Sequence, residues 1–166
     1  MAAVGYALDC EGTDQKAGFD GTTDLVRQLS FGTYNQKFKP NRTSADWLCA
    51  DEAELDKYLA DPLVRKDISA GLFWELLGSM KRTGEAATYE KWNKKMPVLL
   101  LYGDDDPVGD FGKGVQRLYD QMKKAGIQII TFQRFLDARH DLIHEEKGCA
   151  EAARKMIAEW IAEQKS

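Results

Sequence analysis

At 166 residues the chain is long enough for one domain with a sizeable core and too short to argue for two. Hydrophobic residues make up 43% and charged residues 30%, with only four prolines, which excludes a disordered tail. The net charge of −4 is spread, with its densest basic spots at Lys94-Lys95 and Lys123-Lys124. No nucleic-acid partner is expected, because such a partner needs a clustered basic face. No apolar run approaches the about 20 residues of a membrane span, so no transmembrane segment is expected. Residues 1–10 show neither a basic n-region nor a long apolar stretch, and a cytoplasmic location is the expectation. Cys10, Cys49 and Cys149 are odd in number, far apart and free of CxxC spacing, so they read as reduced structural thiols.

In chain order, residues 1–21 are glycine-rich and polar and read as irregular. A short helix is expected over 24–30, where Leu25, Val26 and Leu29 share a face. Gly32, Pro40 and Asn41 break 31–43 into a loop. Asp51 offers a cap for a helix over 52–59, with Leu55, Tyr58 and Leu59 at helical spacing, and Asp61-Pro62 ends it. A more apolar helix follows over 69–82, carrying Leu72, Phe73, Leu76, Leu77 and Met80, and a short third one over 88–94. Residues 1–95 therefore divide into an irregular start and a helical cap.

The character changes at Met96. The run Pro97-Val98-Leu99-Leu100-Leu101-Tyr102 predicts a parallel strand buried on both faces. Val115, Leu118 and Met122 mark an amphipathic helix that Gly126 terminates. A second buried strand is expected over 127–135, rich in Ile, Thr and Phe. Cys149, Ala153, Met156, Ile157, Trp160 and Ile161 make one face of a terminal helix. Residues 96–166 are thus a βαβα unit of the α/β class, with function expected at the carboxyl ends of its parallel strands.

Two strand-end loops hold the polar interest: Gly103-Asp104-Asp105-Asp106-Pro107-Val108-Gly109-Asp110, and Ala138-Arg139-His140-Asp141. A serine hydrolase needs an imidazole base and a carboxylate that fixes its tautomer, and adjacent strand ends are a sound place for that pair. Taken by itself, an Asp-Pro loop is more often a solvated turn. His140 and His144, spaced as H-D-L-I-H, have the spacing of a zinc-protease helix. Asp141 is too short for the base Glu of that motif and no third ligand stands out, so neither metal nor cofactor is expected. Trp47, Phe73 and Trp74 are candidates to line an acyl pocket, with core packing the commoner use of each.

The segment Leu101-Tyr102-Gly103-Asp104-Asp105-Asp106-Pro107-Val108-Gly109 resembles the acid loop of α/β-hydrolases. The group it is most similar to is that of bacterial monoacylglycerol lipases, lysophospholipases and serine aminopeptidase-like proteins. The likeness continues through Gly112-Lys113-Gly114-Val115 and through Ala138-Arg139-His140, which resembles that group's histidine loop. Upstream, Phe31-Gly32-Thr33-Tyr34-Asn35, Phe38, Pro40, Arg42-Thr43, Asp46-Trp47-Leu48, Asp56, Tyr58 and Asp61-Pro62 are similar to its cap signature. The resemblance implies that Asp106 is the triad acid and His140 the base, with Asp104 and Asp105 on variable positions. The chain departs from the pattern at Asp141, where Glu is frequent, and at Asp137, where Gly is frequent.

Members of the group are about twice this length, and their first half supplies a G-x-S-x-G nucleophile elbow, which does not occur in this sequence. Gly78-Ser79-Met80 lies inside an apolar helix with no strand before it. The resemblance therefore implies the C-terminal part of an α/β-hydrolase fold. It implies an ester hydrolase of lipid-like substrates such as lysophospholipids or monoacylglycerols, with acid and base but no nucleophile in these 166 residues. A truncated product, one half of a split enzyme and an inactive remnant all fit. The alternative is a non-catalytic binding module derived from a hydrolase. Two strands rarely form an independently stable sheet, so self-association or pairing with the missing half is expected.

Overall fold

The structure is a computed structural model that describes Gly21, residues 31–64 and residues 69–165. Residues 1–20 of the irregular segment expected over 1–21, Cys10 among them, and the helix expected over 24–30 lie outside the described residues. Residues 31–43, expected as a loop, contain a 3-10 turn at Tyr34–Phe38. Helix α1 (Glu52–Ala60) begins where Asp51 predicts it: the Asp51 carboxylate accepts the N–H groups of Ala53 and Glu54, a cap that contributes about 1 kcal/mol. Helix α2 (Ala70–Thr83) starts on Ser69, whose hydroxyl oxygen accepts the Leu72 N–H. The third helix, α3 (Ala86–Glu90), begins two residues earlier than expected and stops where Lys94 Nζ reaches the Tyr89 and Glu90 carbonyls.

Strand β1 (Val98–Gly103), helix α4 (Lys113–Lys124) and strand β2 (Ile130–Phe135) form the parallel βαβ unit, in register from Val98↔Ile130 to Gly103↔Phe135. Leu118 and Met122 of α4 pack on Val98, Leu100 and Ile130, with Tyr89 and Trp92 closing the cluster. The terminal helix α5 (Lys147–Glu163) buries Ala150 and Ala153.

Two expectations need correction. The second strand starts at Ile130, three residues later than its apolar run implies. Gly126 adopts φ +90°, its N–H reaches the Lys123 carbonyl, and the Ile127 N–H reaches the Met122 carbonyl. That is a left-handed helix stop in which the residue after the glycine packs back on the last turn. Ile127, 2% exposed against Met122, serves that stop instead of the strand. Nor is either strand buried on both faces among the described residues. The β1 side chains are half-buried, and Thr131, Gln133 and Arg134 of β2 are exposed. The described helices cover β2 on the face of Ile130 and Phe132.

Candidate active site

The carboxyl end of β1 runs directly against the histidine loop. A Cβ built on Gly103 would lie 2.1 Å from the Ala138 carbonyl oxygen and 2.4 Å from that of Arg139. Only glycine lets the backbones approach this closely. The contact is then fixed by the Asp105 N–H donating to the Ala138 carbonyl at 2.9 Å and the Asp104 N–H to Phe135 at 3.1 Å. The acid loop and the histidine loop, 34 residues apart in sequence, are thereby brought side by side.

Each of the three aspartates has its own partner. Asp104 accepts the Asp137 N–H at 2.7 Å and stands 3.9 Å from Arg134, so it staples the two loops. Asp105 pairs with Lys37 of the 3-10 turn, whose ammonium also lies over the Phe111 ring. Asp106 is buried, accepts the Val108 N–H at 2.8 Å through Oδ1, and meets His140 Nδ1 through Oδ2 at 3.0 Å. An ionised carboxylate only accepts, so Nδ1 carries the proton and the lone pair of the neutral ring falls on Nε2. The hydrogen bond to Asp106 raises the His140 pKa above its ordinary value. Burial opposes that rise, and the charges of Asp106 and Asp141 add to it. An imidazole held this way can take a proton at Nε2 and keep it while the carboxylate stabilises the cation.

Aromatic residues wall the same place. Trp47 lies 5.4 Å from the His140 ring, stacks on Phe31 at 5.9 Å and meets Tyr34 at 5.2 Å, centroid to centroid. Asn35 orients this group by accepting the Trp47 N–H at 3.0 Å while its own amide donates to Thr43. Burial first, and the charge of Asp106 second, raise the Tyr34 pKa. Of the other pocket candidates, Phe73 is buried and Trp74 is 49% exposed.

Three site features escape the sequence reading. Glu145 is 3% exposed and accepts the N–H groups of Arg139 at 2.7 Å, Ala50 at 3.0 Å and Glu146 at 3.1 Å. Arg139 spans to the Asp46 and Cys49 carbonyls and covers the Phe38 ring at 4.2 Å. Asp46 accepts the Arg42 and Thr43 N–H groups, closing the turn that presents Trp47. The available signals were the Asp46-Trp47-Leu48 and Ala138-Arg139-His140 motifs, which mark the two segments without saying what lies across from each.

The remaining candidates stand apart. His144 pairs with Asp141 at 2.8 Å within a 3-10 turn, Leu142–His144, and not on a helix. Among the described residues no three His, Cys, Asp or Glu side chains are grouped to hold a metal. Ser79 sits inside α2, where its hydroxyl oxygen accepts from Arg82. Burial, with Glu145, Asp141 and Asp51 nearby, pushes the Cys49 thiol up to about 11. Cys149 is raised by burial and by Glu145. Protonated thiols like these are poor nucleophiles. No described helix is long and apolar enough to cross a membrane.

The fold of this chain has counterparts among solved structures. A thermostable carboxyl esterase from Bacillus coagulans, in complex with glycerol, superposes with a TM-score of 0.78 at 18% identity, covering 85% of this chain and 46% of its own. An open-form lipase gives 0.75 at 16% identity, covering 86% and 46%. The monoacylglycerol lipase of Paleococcus ferrophilus gives 0.60 at 24% identity, covering 84% and 52%. The chain thus spans about half the length of these structures, and the likeness establishes a partial α/β-hydrolase fold. No curated protein matches the chain. Residues 16–147 match the family described as serine aminopeptidase, S33. With a match over most of its length and a fold to go with it, the chain belongs to that family of α/β-hydrolases.

Proposed function

We propose that this chain supplies the acid and the base of an ester hydrolase that works by acyl transfer. The observation that carries the reading is the 3.0 Å contact between His140 Nδ1 and the buried Asp106 carboxylate at adjoining strand ends. In the proposed cycle a serine hydroxyl attacks the ester carbonyl while His140 Nε2 takes its proton. His140 then returns that proton to the departing alcohol, and Asp106 stays ionised throughout. The serine comes from residues beyond these 166, since no G-x-S-x-G stands among them.

The proposed substrates are lipid-like carboxylic esters such as lysophospholipids or monoacylglycerols. The wall of Phe31, Tyr34 and Trp47 beside His140 is the chemistry that would receive an acyl chain. The names of the structural neighbours, an esterase and two lipases, point the same way.

Without the serine, these 166 residues are expected to turn over a short p-nitrophenyl ester no faster than a His140→Ala control. Turnover that vanishes in His140→Ala would show a nucleophile we have not identified. Joined to a segment bearing the serine elbow, the protein is expected to react with a fluorophosphonate probe and to lose turnover in His140→Ala. Failure to do so sinks the reading.

The partner proposed is that elbow-bearing half or, in its absence, a second copy. Among the described residues the sheet has two strands. Leu63, Leu136 and Ile129 stand exposed at 84%, 65% and 48%. Backbone donors along a strand edge invite pairing. Size-exclusion chromatography with light scattering checks this: a monodisperse monomer with a sharp thermal transition would overturn it.

A further inference from the structure

We propose that Glu145 is the positioning residue of His140, acting through the backbone N–H of Arg139, just before it, and that of Ala50, in the segment that carries Trp47. The proposal rests on the reading of His140 as the base and asks what holds that base still.

Exposed loops give a histidine a wide range of positions, and His140 is itself 40% exposed at its side chain. Its single side-chain tie to Asp106 does not fix a loop. The loop is fixed from beneath. The buried Glu145 carboxylate accepts the N–H of Arg139, the residue just before His140, through Oε1. Through Oε2 it accepts the N–H of Ala50, 95 residues away in sequence, and that of Glu146. One side chain therefore ties the histidine loop, the start of α5 and the segment that carries Trp47.

The tie is reinforced from both strands of chain. The Asp141 N–H, just after His140, donates to the Leu48 carbonyl at 2.7 Å, and Arg139 reaches the Asp46 and Cys49 carbonyls. His140 is thus bracketed by two residues whose amides are both anchored, with Trp47 against its ring. Three amide donors directed at one carboxylate satisfy its charge without a cation. Their loss would leave three N–H groups without that acceptor, two of them in the loop and the segment that frame His140. The charged groups facing His140 itself are Asp106 and Asp141.

The test reads the imidazole directly. The 166-residue chain is labelled with 15N, and the His140 ring is titrated by NMR in the wild type, Glu145→Ala, Glu145→Gln and Asp106→Asn. The methyl signals of Met122 and Ile127, in the core cluster of the βαβ unit, report that the fold persists. In the wild type His140 is expected to hold the Nδ1–H tautomer with a raised pKa. In Glu145→Ala the pKa is expected to fall toward 6.5, the ordinary histidine value, and the tautomer to revert toward Nε2–H, as in Asp106→Asn. Glu145→Gln keeps one acceptor oxygen and is expected to lie between. The proposal is overturned if His140 keeps its wild-type titration and tautomer in both Glu145 variants while Asp106→Asn moves it. It is equally overturned if both variants lose the core methyl signals, since Glu145 would then serve the fold at large; if only Glu145→Ala unfolds, Glu145→Gln decides. The readout needs no turnover. An elbow-joined protein without esterase activity would end the functional reading and leave this one to its own titration.

Discussion

Two histidine–aspartate pairs lie four residues apart in this chain, at nearly the same distance, and they are not equivalent. His140 meets Asp106 at 3.0 Å; His144 meets Asp141 at 2.8 Å. The second pair closes within a single turn of chain, and both its side chains are well exposed, at 51% and 39%. The first joins two strand-end loops, and its carboxylate is 11% exposed with a second oxygen already committed to Val108. An exposed local pair is free to rearrange and is screened by water, so it contributes little. A pair built from two anchored loops holds its geometry because the scaffold holds it. Distance alone does not distinguish a proposed catalytic pair from a surface one; the number of independent constraints on each partner does.

The sharpest way to break the comparison is in a protein joined to a serine-elbow segment. There Asp106→Asn is expected to lower turnover of a p-nitrophenyl ester by roughly 10⁴-fold, because the amide supports the wrong imidazole tautomer. Asp141→Asn is expected to leave turnover nearly unchanged. Sensitivity at Asp141 instead would exchange the roles of the two pairs, and sensitivity at Asp104 or Asp105 would move the acid along its loop.

Gly103→Ala attacks the scaffold of the first pair alone. The added methyl would meet the Ala138 and Arg139 carbonyls well inside contact distance. The backbone must move, at a cost of about 1–3 kcal/mol. A lowered thermal midpoint together with a changed His140 signal is expected, with the local His144–Asp141 pair undisturbed. A variant as stable as the wild type would mean that the two loops are less tightly joined than the geometry says.

Asp137 sharpens the comparison further, because it begins the histidine loop with φ +55°. This explains the sequence departure noted there: the backbone is one that glycine adopts freely and aspartate tolerates. Asp137→Val, a branched side chain in that region, is expected to be less stable than Asp137→Gly by about 1–2 kcal/mol. Equal denaturation midpoints for the two would show that the loop relaxes out of this conformation.

The smallest effect is on titration. Asp106 raises the His140 pKa in the folded chain, so the pair contributes stability in full below the unfolded value of 6.5. That contribution is lost as pH rises through the higher folded value. Asp106→Asn is expected to bring the His140 pKa down and to flatten this part of the stability profile, as read by NMR titration and by melts across neutral pH. An unchanged His140 titration in Asp106→Asn would separate the contact from the shift.

Much of this was legible in the order of residues, and what was legible is local. Asp51 and Ser69 cap their helices because a short acceptor side chain meets amides two or three residues on. The apolar run after Pro97 makes β1, and Gly126 stops α4 because only a left-handed backbone closes that turn without strain. Family resemblance put Asp106 and His140 forward together. Ile127 was misread as strand because an apolar residue suits a strand and the last turn of a helix stop equally well. Neither spacing nor composition could say which aspartate of Asp104-Asp105-Asp106 meets His140 in space, which staples the loops and which takes Lys37. Nor could they say that Glu145 gathers amides from residues 50, 139 and 146, or that Trp47 lies on the imidazole. The contacts of Asp106 with His140 and of Glu145 with Ala50 join residues 34 and 95 positions apart in sequence. Local propensity acts over a few residues, so only the packing of β1 beside β2, with Gly103 against the histidine loop, decided them.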